Sequence, residues 1–578
     1  GDERLHPLTD TARALEGMPR HASTHAAGVV ITERPVYEYV PLAKNDESVV
    51  TQYTMTTLEE LGLLKMDFLG LRNLTVLEDA AVLVRRRDPG FDVNSLPEDD
   101  GATFAMLRAG RTEGVFQLES AGMTGVCTRL GPKSVEDITA IIALYRPGPM
   151  DSIPKFLENS GHPEKISYKH PSLEPILSVT YGCIVYQEQV IEIFRRLAGF
   201  SLGQADNIRR AMSKKKHAVI DAERRAFIHG DEARGIPGCL ANGISESVAN
   251  SIYDEILDFA SYAFNKSHAV AYAIVAYRTA YMKCHHPREY MSALLTSVLD
   301  SSAKVAEYIG ECRELGIRVL PPDVNESGAD FTVAGANIRF GLTAIKNIGA
   351  KFIALLVAER EQNGPFHGLE EFCRRMSGKE LNRRAVESLI KSGAMDSLGL
   401  KRRAMLQMLD LILESIAADG RGNIAGQFDL FGFDEGKPDE ATLVAVPDVE
   451  EFDRRELMAM EKEMTGLYLS GHPMDEYRDA ARRAGAVPIG PILEDFANED
   501  GPQDYIDGQR VTLAGVVESS RTRTTKNGTL MAYIQLEDDT GTMELLPFQR
   551  ALDAGGGYVA ANAALLVTGR ISVRDEKE

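Results

Sequence analysis

Lys65 and Asp67 are the first residues whose types and spacing suggest chemistry. They lie in Leu61-Gly-Leu-Leu-Lys-Met-Asp-Phe-Leu69, a run of alternating character. Strand geometry sends Leu64, Met66 and Phe68 to one face and Lys65, Asp67 and Leu69 to the other, with Lys65 and Asp67 roughly 6–7 Å apart along it. An aspartate between apolar neighbours on a buried strand is costly unless it meets a cation or a partner. Two readings fit: an ion pair with Lys65, or a bound cation. The second concentration is basic: Arg195, Arg196, Arg209, Arg210, Lys214, Lys215 and Lys216. Arg210 and Lys214, four apart, share one side of a helix. A phosphate-binding face and a solvated helical face both fit this pattern. Cys284-His285-His286 stands before Pro287 with no further ligand cluster nearby in sequence, so a structural role fits it better than metal or nucleophile chemistry. The six cysteines are scattered singly, which argues against a zinc ribbon or a disulfide framework and for a reducing cytoplasm.

These residues need elements to hold them. Residues 20–31 pass from a polar loop into a β-like run. Leu74, Leu77, Ala81 and Val84 follow helical spacing, and most of the chain from there to about Pro321 reads as helix. Val190, Ile193, Phe194 and Leu197 form a stripe ended by Gly199; Val248, Ile252, Ile256 and Phe259 form another. Residues 269–282 are apolar nearly all round and predict a buried core helix. Residues 341–349 centre a smaller helical unit that 381–398 echo. Residues 420–440 read as a flexible acidic linker and 495–508 as a second acidic joint. Residues 511–573 are β-like, with a hairpin signal at Lys526-Asn527-Gly528 and alternation at Leu530, Ala532, Ile534 and Leu536.

A length of 578 residues requires several domains. Hydrophobic residues at 44% and charged residues at 26% exclude disorder as the dominant state, and no apolar run approaches a membrane span. The net charge of −21 speaks against nucleic acid as a partner, but residues 410–463 carry −10 and 494–507 carry −6, leaving the rest near neutral. Gly1 opens the chain without an initiator Met, so it reads as part of a larger protein.

Eight segments carry a resemblance: His25-Ala-Ala-Gly-Val-Val30, Lys65-Met-Asp-Phe-Leu-Gly-Leu71, Phe116-Gln-Leu-Glu-Ser120, Arg146-Pro-Gly-Pro149, Tyr186-Gln-Glu-Gln189, Arg209-Arg-Ala-Met-Ser-Lys-Lys-Lys216, Phe264-Asn-Lys-Ser-His268 and Gly466-Leu-Tyr-Leu-Ser-Gly-His-Pro473. Together and in this order, they resemble the bacterial DNA polymerase III alpha subunits, the C-family replicative polymerases. The resemblance implies a multidomain α+β protein: end of thumb (1–21), second part of a mixed-sheet palm (22–72), mainly helical fingers (73–322), a helix-hairpin-helix region (323–400), a clamp-binding segment and linker (401–505), and a truncated OB-type β-barrel (506–578). It lacks the family's amino-terminal phosphoesterase-like domain, the first part of the palm and the far carboxy-terminus.

The implied activity is template-directed addition of nucleotides to a primer 3′ end in bacterial chromosomal replication. Asp67 would be one of three aspartates holding two Mg²⁺ ions, with Lys65 neutralising triphosphate charge. Arg209 and Arg210 would grip the incoming triphosphate, with Lys214, Lys215 and Lys216 nearby. Arg146 would approach the nascent base pair, and Asn265, Lys266 and His268 would line the nucleotide pocket; for His268, a satisfied core histidine is the alternative. Lys346, Asn347, Gly349 and Lys351, in a helix-hairpin-helix turn, would hold DNA phosphate through exposed backbone N–H groups. Arg521, Arg523 and Lys526 would face single-stranded template. Gln427, Leu430 and Phe431 match the family's peptide for the sliding clamp (the beta subunit). Primer-template DNA, dNTPs, a clamp loader and a proofreading exonuclease complete the implied partners, in a cytoplasmic, nucleoid-associated setting without a membrane.

The family's Asp-x-Asp pair is missing: no Asp-x-Asp occurs anywhere in the chain. One carboxylate does not hold two metals, so this chain alone is expected not to polymerise. A non-catalytic DNA- and clamp-binding scaffold, and a damage-tolerant polymerase of the same family, are the alternatives.

Overall fold

The computed structural model describes all residues except 1–5, 19–23, 26, 46–47, 69, 147, 214–216, 261–263, 423–443, 497–501, 503, 525–527, 556–559 and 574–578. It forms two units, residues 1–72 and 73–578. In the first, the alternating run becomes strand β4 (Leu64–Asp67), antiparallel to β1 (Gly28–Ile31), with Gly28 opposite Asp67 and Val30 opposite Lys65. Between them lie a hairpin of β2 (Leu42–Asn45) and β3 (Ser48–Thr51) and the helix Met55–Glu60. The expected burial of β4 is not found. Leu64 is 58% exposed and Phe68 62%, and Val29, Ile31 and Met66 are exposed too. Val40 and Leu58 are the buried apolar side chains among the described residues of this unit. Among the described residues, the short helix Met55–Glu60 packs near this two-stranded ribbon but leaves most of its apolar side chains uncovered.

The second unit is built mainly from helices whose stripes meet one another. The predicted core helix is Lys266–His285, and Ala269, Ala273, Ala276 and Ala280 are fully buried along it. Small side chains at this spacing let the helices Val135–Leu144 and Gly101–Arg108 pack closely against it. In the helix Gln187–Ala198, Val190, Ile193, Phe194 and Leu197 are all buried, and Gly199 ends it at φ 78°. The Phe194 ring lies 5.0 Å from Phe227 and 5.3 Å from Phe200. The helix Arg72–Arg85 buries Leu77, Ala81 and Val84 as expected, but Leu74 is half exposed; Val76 and Ala80 complete its inner face.

Residues 319–339 supply a small sheet, with β5 (Val319–Leu320) parallel and β6 (Thr332–Ala334) antiparallel to β7 (Asn337–Arg339). The helices Ala350–Asn363, Leu369–Met376, Arg383–Lys391 and Arg402–Gly422 follow. Near the carboxy-terminal end, β8 (Arg510–Thr524), β9 (Leu530–Glu537), β10 (Thr542–Leu545) and β11 (Ala564–Arg570) form an antiparallel sheet in the order β10-β9-β8-β11. Ala532, Ile534 and Leu536 bury the predicted face, whereas Leu530 is exposed. The chain is thus a mixed α+β protein, helical for the most part, with a curled antiparallel sheet near one end. Among the described residues, no helix is long and apolar enough to cross a membrane.

Candidate nucleotide and nucleic-acid interface

In the second unit, the start of the helix Lys266–His285 gathers five of the expected residues. Asn265 is its N-cap: its side-chain oxygen accepts from His268 N at 2.9 Å. Its amide donates to Glu188 Oε1 at 2.9 Å, and Lys266 N donates to Glu188 Oε2 at 3.0 Å. Glu188 therefore ties the start of one helix to the start of another. The Lys266 ammonium lies 2.8 Å from Glu136 and 5.2 Å from the Tyr186 ring centre. Beside this cap, Phe264 N donates to Val185 O and Gln187 N to Phe264 O, at 3.2 and 2.9 Å. The Arg146 guanidinium sits 3.8 Å from the Phe264 ring centre, a cation–π contact on the turn that follows the helix Val135–Leu144. His268 is exposed, its ring beside Phe264 and Tyr272; it is not a core histidine.

Arg209 reaches the same place from the helix Leu202–Ser213, donating through Nη1 to Gln187 Oε1 at 3.2 Å. Its Nε and Nη2 lie 3.0 Å from Asp206 Oδ1, while Arg210 Nε lies 2.8 Å from Asp206 Oδ2. The Arg209 hydrogen bond, helped by both guanidinium charges, holds the Asp206 carboxyl below the usual range. Arg146, Arg209, Asn265, Lys266 and His268 thus border one surface, with Arg210 next to it on the helix. Lys214, Lys215 and Lys216 lie outside the described residues. Arg195 and Arg196 both pair with Glu192 on their own helix. A cavity of about 490 Å³ opens beside Arg146, lined also by Phe116, Gln117, Glu119, Ser120 and Tyr308.

In the first unit, Lys65 Nζ donates to Asp67 Oδ1 at 2.5 Å, and His25 Nδ1 stands 4.0 Å from the same oxygen. The ion-pair reading of Lys65 and Asp67 is thus the arrangement found. The Lys65 hydrogen bond holds Asp67 below the usual carboxylate range, so it is ionised at neutral pH. His25 Nδ1 accepts from Gly28 N at 2.6 Å and Ala27 N at 3.1 Å. A Cβ on Gly28 would stand 2.7 Å from Lys65 Cε and 2.9 Å from His25 Nδ1, so glycine keeps room for both side chains. Among the described residues, Asp67 belongs to no cluster of three ligand groups; the one such cluster is Asp100, Cys284 and His285. The donor set at Asp67 does not fit a two-ion centre.

The Asp100 group brings a ligand near Cys284-His285 that the sequence order concealed. Asp100 is nevertheless engaged: it caps the helix Gly101–Arg108 through Thr103 N at 2.7 Å and pairs with His285 at 2.8 Å. Burial opposes its charge, but the bonds from His285 and Thr103 prevail and hold its pKa below the ordinary value.

At the helix-hairpin-helix turn, the left-handed residue is Asn347 (φ 67°), while Gly349 is extended and caps the helix Ala350–Asn363. A Cβ at Gly349 would meet nothing within 4 Å, so close approach within the chain is not what calls for glycine there. Lys346 is exposed, its N–H donating to Met464 O, whereas Lys351 is paired with Glu380 at 2.5 Å. On β8, Arg521 and Arg523 are exposed and stand opposite Tyr533 and Met531. Lys526 and the clamp-peptide residues Gln427, Leu430 and Phe431 lie outside the described residues, as does most of the linker.

Sequence reasoning passed over Glu188, Asp206, His25 and Gly28 as individual site residues. Asp206 was legible: an aspartate three and four positions before two arginines shares their helix face. Glu188, His25 and Gly28 lie inside the family-like motifs, but their partners are distant in sequence or across a strand pair.

Comparison with known proteins gives three family matches: the bacterial DNA polymerase III alpha NTPase domain over residues 1–70, the bacterial DNA polymerase III alpha subunit finger domain over 73–235, and a helix-hairpin-helix motif over 316–405. The chain is 42% identical to a DNA polymerase III subunit alpha of Thermus aquaticus over all of its length and 46% of the relative's. It is 41% identical to one of Bacillus subtilis, with 99% of the chain and 49% of the relative covered, and 40% identical to one of Mycobacterium tuberculosis, with 100% and 48% covered. The chain spans about half the length of these relatives.

Proposed function

The chain belongs to the bacterial DNA polymerase III alpha-subunit family, and from that premise we propose that it contributes the incoming-nucleotide surface of a replicative DNA-directed DNA polymerase. The observation that carries this reading is the convergence of Arg146, Arg209, Lys266 and His268 around the Glu188–Asn265 cap, with Arg210 alongside. Guanidinium forks match phosphate oxygens, and the Arg146–Phe264 stack gives a flat surface suited to a base pair. We assign Arg209 and Arg210, with Lys214–Lys216, to the triphosphate, and Arg146, Asn265, Lys266 and His268 to the nucleotide pocket. The domain limits given above are part of the proposal, as are primer-template DNA and dNTPs as ligands.

Lys346, Asn347 and Gly349 would receive duplex phosphate at the hairpin; Lys351 would first have to leave Glu380. Arg521, Arg523 and Lys526 would meet single-stranded template on an OB-type sheet. Gln427, Leu430 and Phe431 would dock on the sliding clamp, with a clamp loader, an exonuclease and cytoplasmic, nucleoid-associated replication as the wider setting.

Polymerases of this class use divalent metal, and Mg²⁺ bound by carboxylates would activate the primer 3′ oxygen and stabilise the leaving pyrophosphate. Asp67 would be one ligand, and Lys65 would offset negative charge beside it. Asp67 stands in no cluster of three ligand groups among the described residues, so a two-ion centre needs carboxylates besides it. The second reading follows from the same observation: this chain alone acts as a DNA- and clamp-binding scaffold.

Primer extension separates the readings. In a protein of the relatives' full length, Asp67→Asn abolishes extension while primer-template binding persists; equal extension by both proteins refutes Asp67 as a ligand. The present chain alone gives no extension with Mg²⁺ and four dNTPs; template-dependent addition by it refutes the scaffold reading. Leu430→Ala with Phe431→Ala removes clamp binding, and unchanged clamp affinity refutes that assignment.

A further inference from the structure

The geometry points to Asp206 as a positioning residue that sets the two arginines for an incoming triphosphate, an inference that rests on the nucleotide reading above. Asp206, Arg209 and Arg210 lie on one face of the helix Leu202–Ser213, and one carboxylate serves both cations: Oδ1 takes Nε and Nη2 of Arg209, and Oδ2 takes Nε of Arg210. Gln187 Oε1 holds Arg209 Nη1 from the neighbouring helix, so the Arg209 fork is oriented from two sides. The three side chains differ in exposure, at 29% for Asp206, 19% for Arg209 and 66% for Arg210. The carboxylate thus takes Nε of both arginines and, from Arg209, Nη2 as well. Arg210 keeps Nη1 and Nη2 on an exposed side chain, and neither atom has a partner among the described residues. Two flexible, like-charged side chains would otherwise spread apart; the shared counter-charge holds them together before the ligand arrives.

Two accounts of this carboxylate predict opposite signs. If Asp206 only subtracts positive charge, removing it tightens binding of any polyanion. If it positions the forks, removing it weakens binding although the net positive charge rises. The second is proposed.

The test measures binding of inorganic tripolyphosphate and of dATP to the full chain by titration calorimetry. Asp206→Asn keeps the side-chain shape and removes the charge; affinity is expected to fall about tenfold, the loss of one to two charge-assisted hydrogen bonds. Asp206→Glu, which restores a carboxylate within reach of both positions, recovers most of it. Thermal unfolding of both variants shows that each is folded. Unchanged or tighter binding by Asp206→Asn overturns the proposal, as does a fall that Asp206→Glu leaves uncorrected. Arg209→Ala and Arg210→Ala test the reading beneath it: if neither weakens tripolyphosphate binding, the nucleotide assignment fails, whatever Asp206 does.

Discussion

The Lys65–Asp67 pair and the Asp206–Arg209–Arg210 set are both short-range ion pairs, yet they stand on different foundations. Lys65 and Asp67 belong to a two-stranded ribbon whose apolar side chains are exposed. Asp206 and its arginines belong to a helix whose Ala205 and Ile208 are buried in a core shared with Phe194, Phe227 and Tyr253. A charge-bearing surface is held as firmly as the layer beneath it, and among the described residues the helical one has much the thicker layer within its own unit. The basic surface is therefore preorganised by packing, whereas the carboxylate depends on a single lysine, a histidine and the space left by Gly28.

The strongest way to break this contrast is to empty the helical core. Phe194→Ala should cost about 3–5 kcal/mol in denaturant unfolding, because its ring meets Phe200, Phe227 and Tyr253 in a site that cannot fully collapse. Its counterpart Met66→Ala, on the exposed ribbon, should change stability by no more than about 0.5 kcal/mol. Equal losses would show that the ribbon is as well supported as the helices.

Farther along the second unit, Arg402 is nearly buried between Asp396 and Glu461, at 2.7 and 3.0 Å. Arg402→Ala removes the counter-charge of the buried Glu461, leaving it only the N–H bonds from Leu469 and Ser470, and a loss of about 3–5 kcal/mol is expected on unfolding. A loss below about 1 kcal/mol, the scale of an exposed pair, would erase the distinction.

A smaller effect sharpens the contrast within the proposed nucleotide surface. Asn265→Ala removes the cap of the helix Lys266–His285 and should cost about 1 kcal/mol, read by thermal unfolding. Asn265→Ser, which still caps, should recover the stability but not the bond to Glu188; nucleotide binding that tracks stability alone would demote Glu188 to a structural role.

The smallest effect is on the ribbon. Lys65→Met should leave unfolding nearly unchanged at neutral pH and let the Asp67 pKa rise toward its ordinary value, followed by carboxyl NMR titration. The sign follows from the lowered pKa. Whatever stability the pair adds is present above the unfolded carboxyl pKa of about 4 and is lost as pH falls through the lower folded value. An Asp67 titration that does not move would mean that Lys65 is not its controlling partner.

Much of this organisation was legible in the chain. The Val190, Ile193, Phe194 and Leu197 stripe, the small-residue helix after Ala269 and the alternating β9 strand are periodic over several turns or residues, and periodicity survives any tertiary context that offers a matching surface. The family-like motifs also contain Arg146, Arg209 and the Asn265–His268 segment, which the fold brings to neighbouring positions. Leu74 and Leu64 show where that reasoning stops: both satisfy a pattern, and both are exposed, because a pattern names a face without saying whether anything covers it.

Folding decided the rest by distance. Glu188 meets Asn265, and Asp100 meets His285, across 77 and 185 positions of chain, and no local rule links such pairs. Lys351 carries the right charge for phosphate but is held by Glu380, a partner set by the approach of two hairpin segments. Residue types and their local spacing belong to the sequence because covalent geometry transmits them over a few residues. Which charges are paired, which faces are covered and which side chains converge depend on contacts between distant segments, and these exist only once the chain has packed.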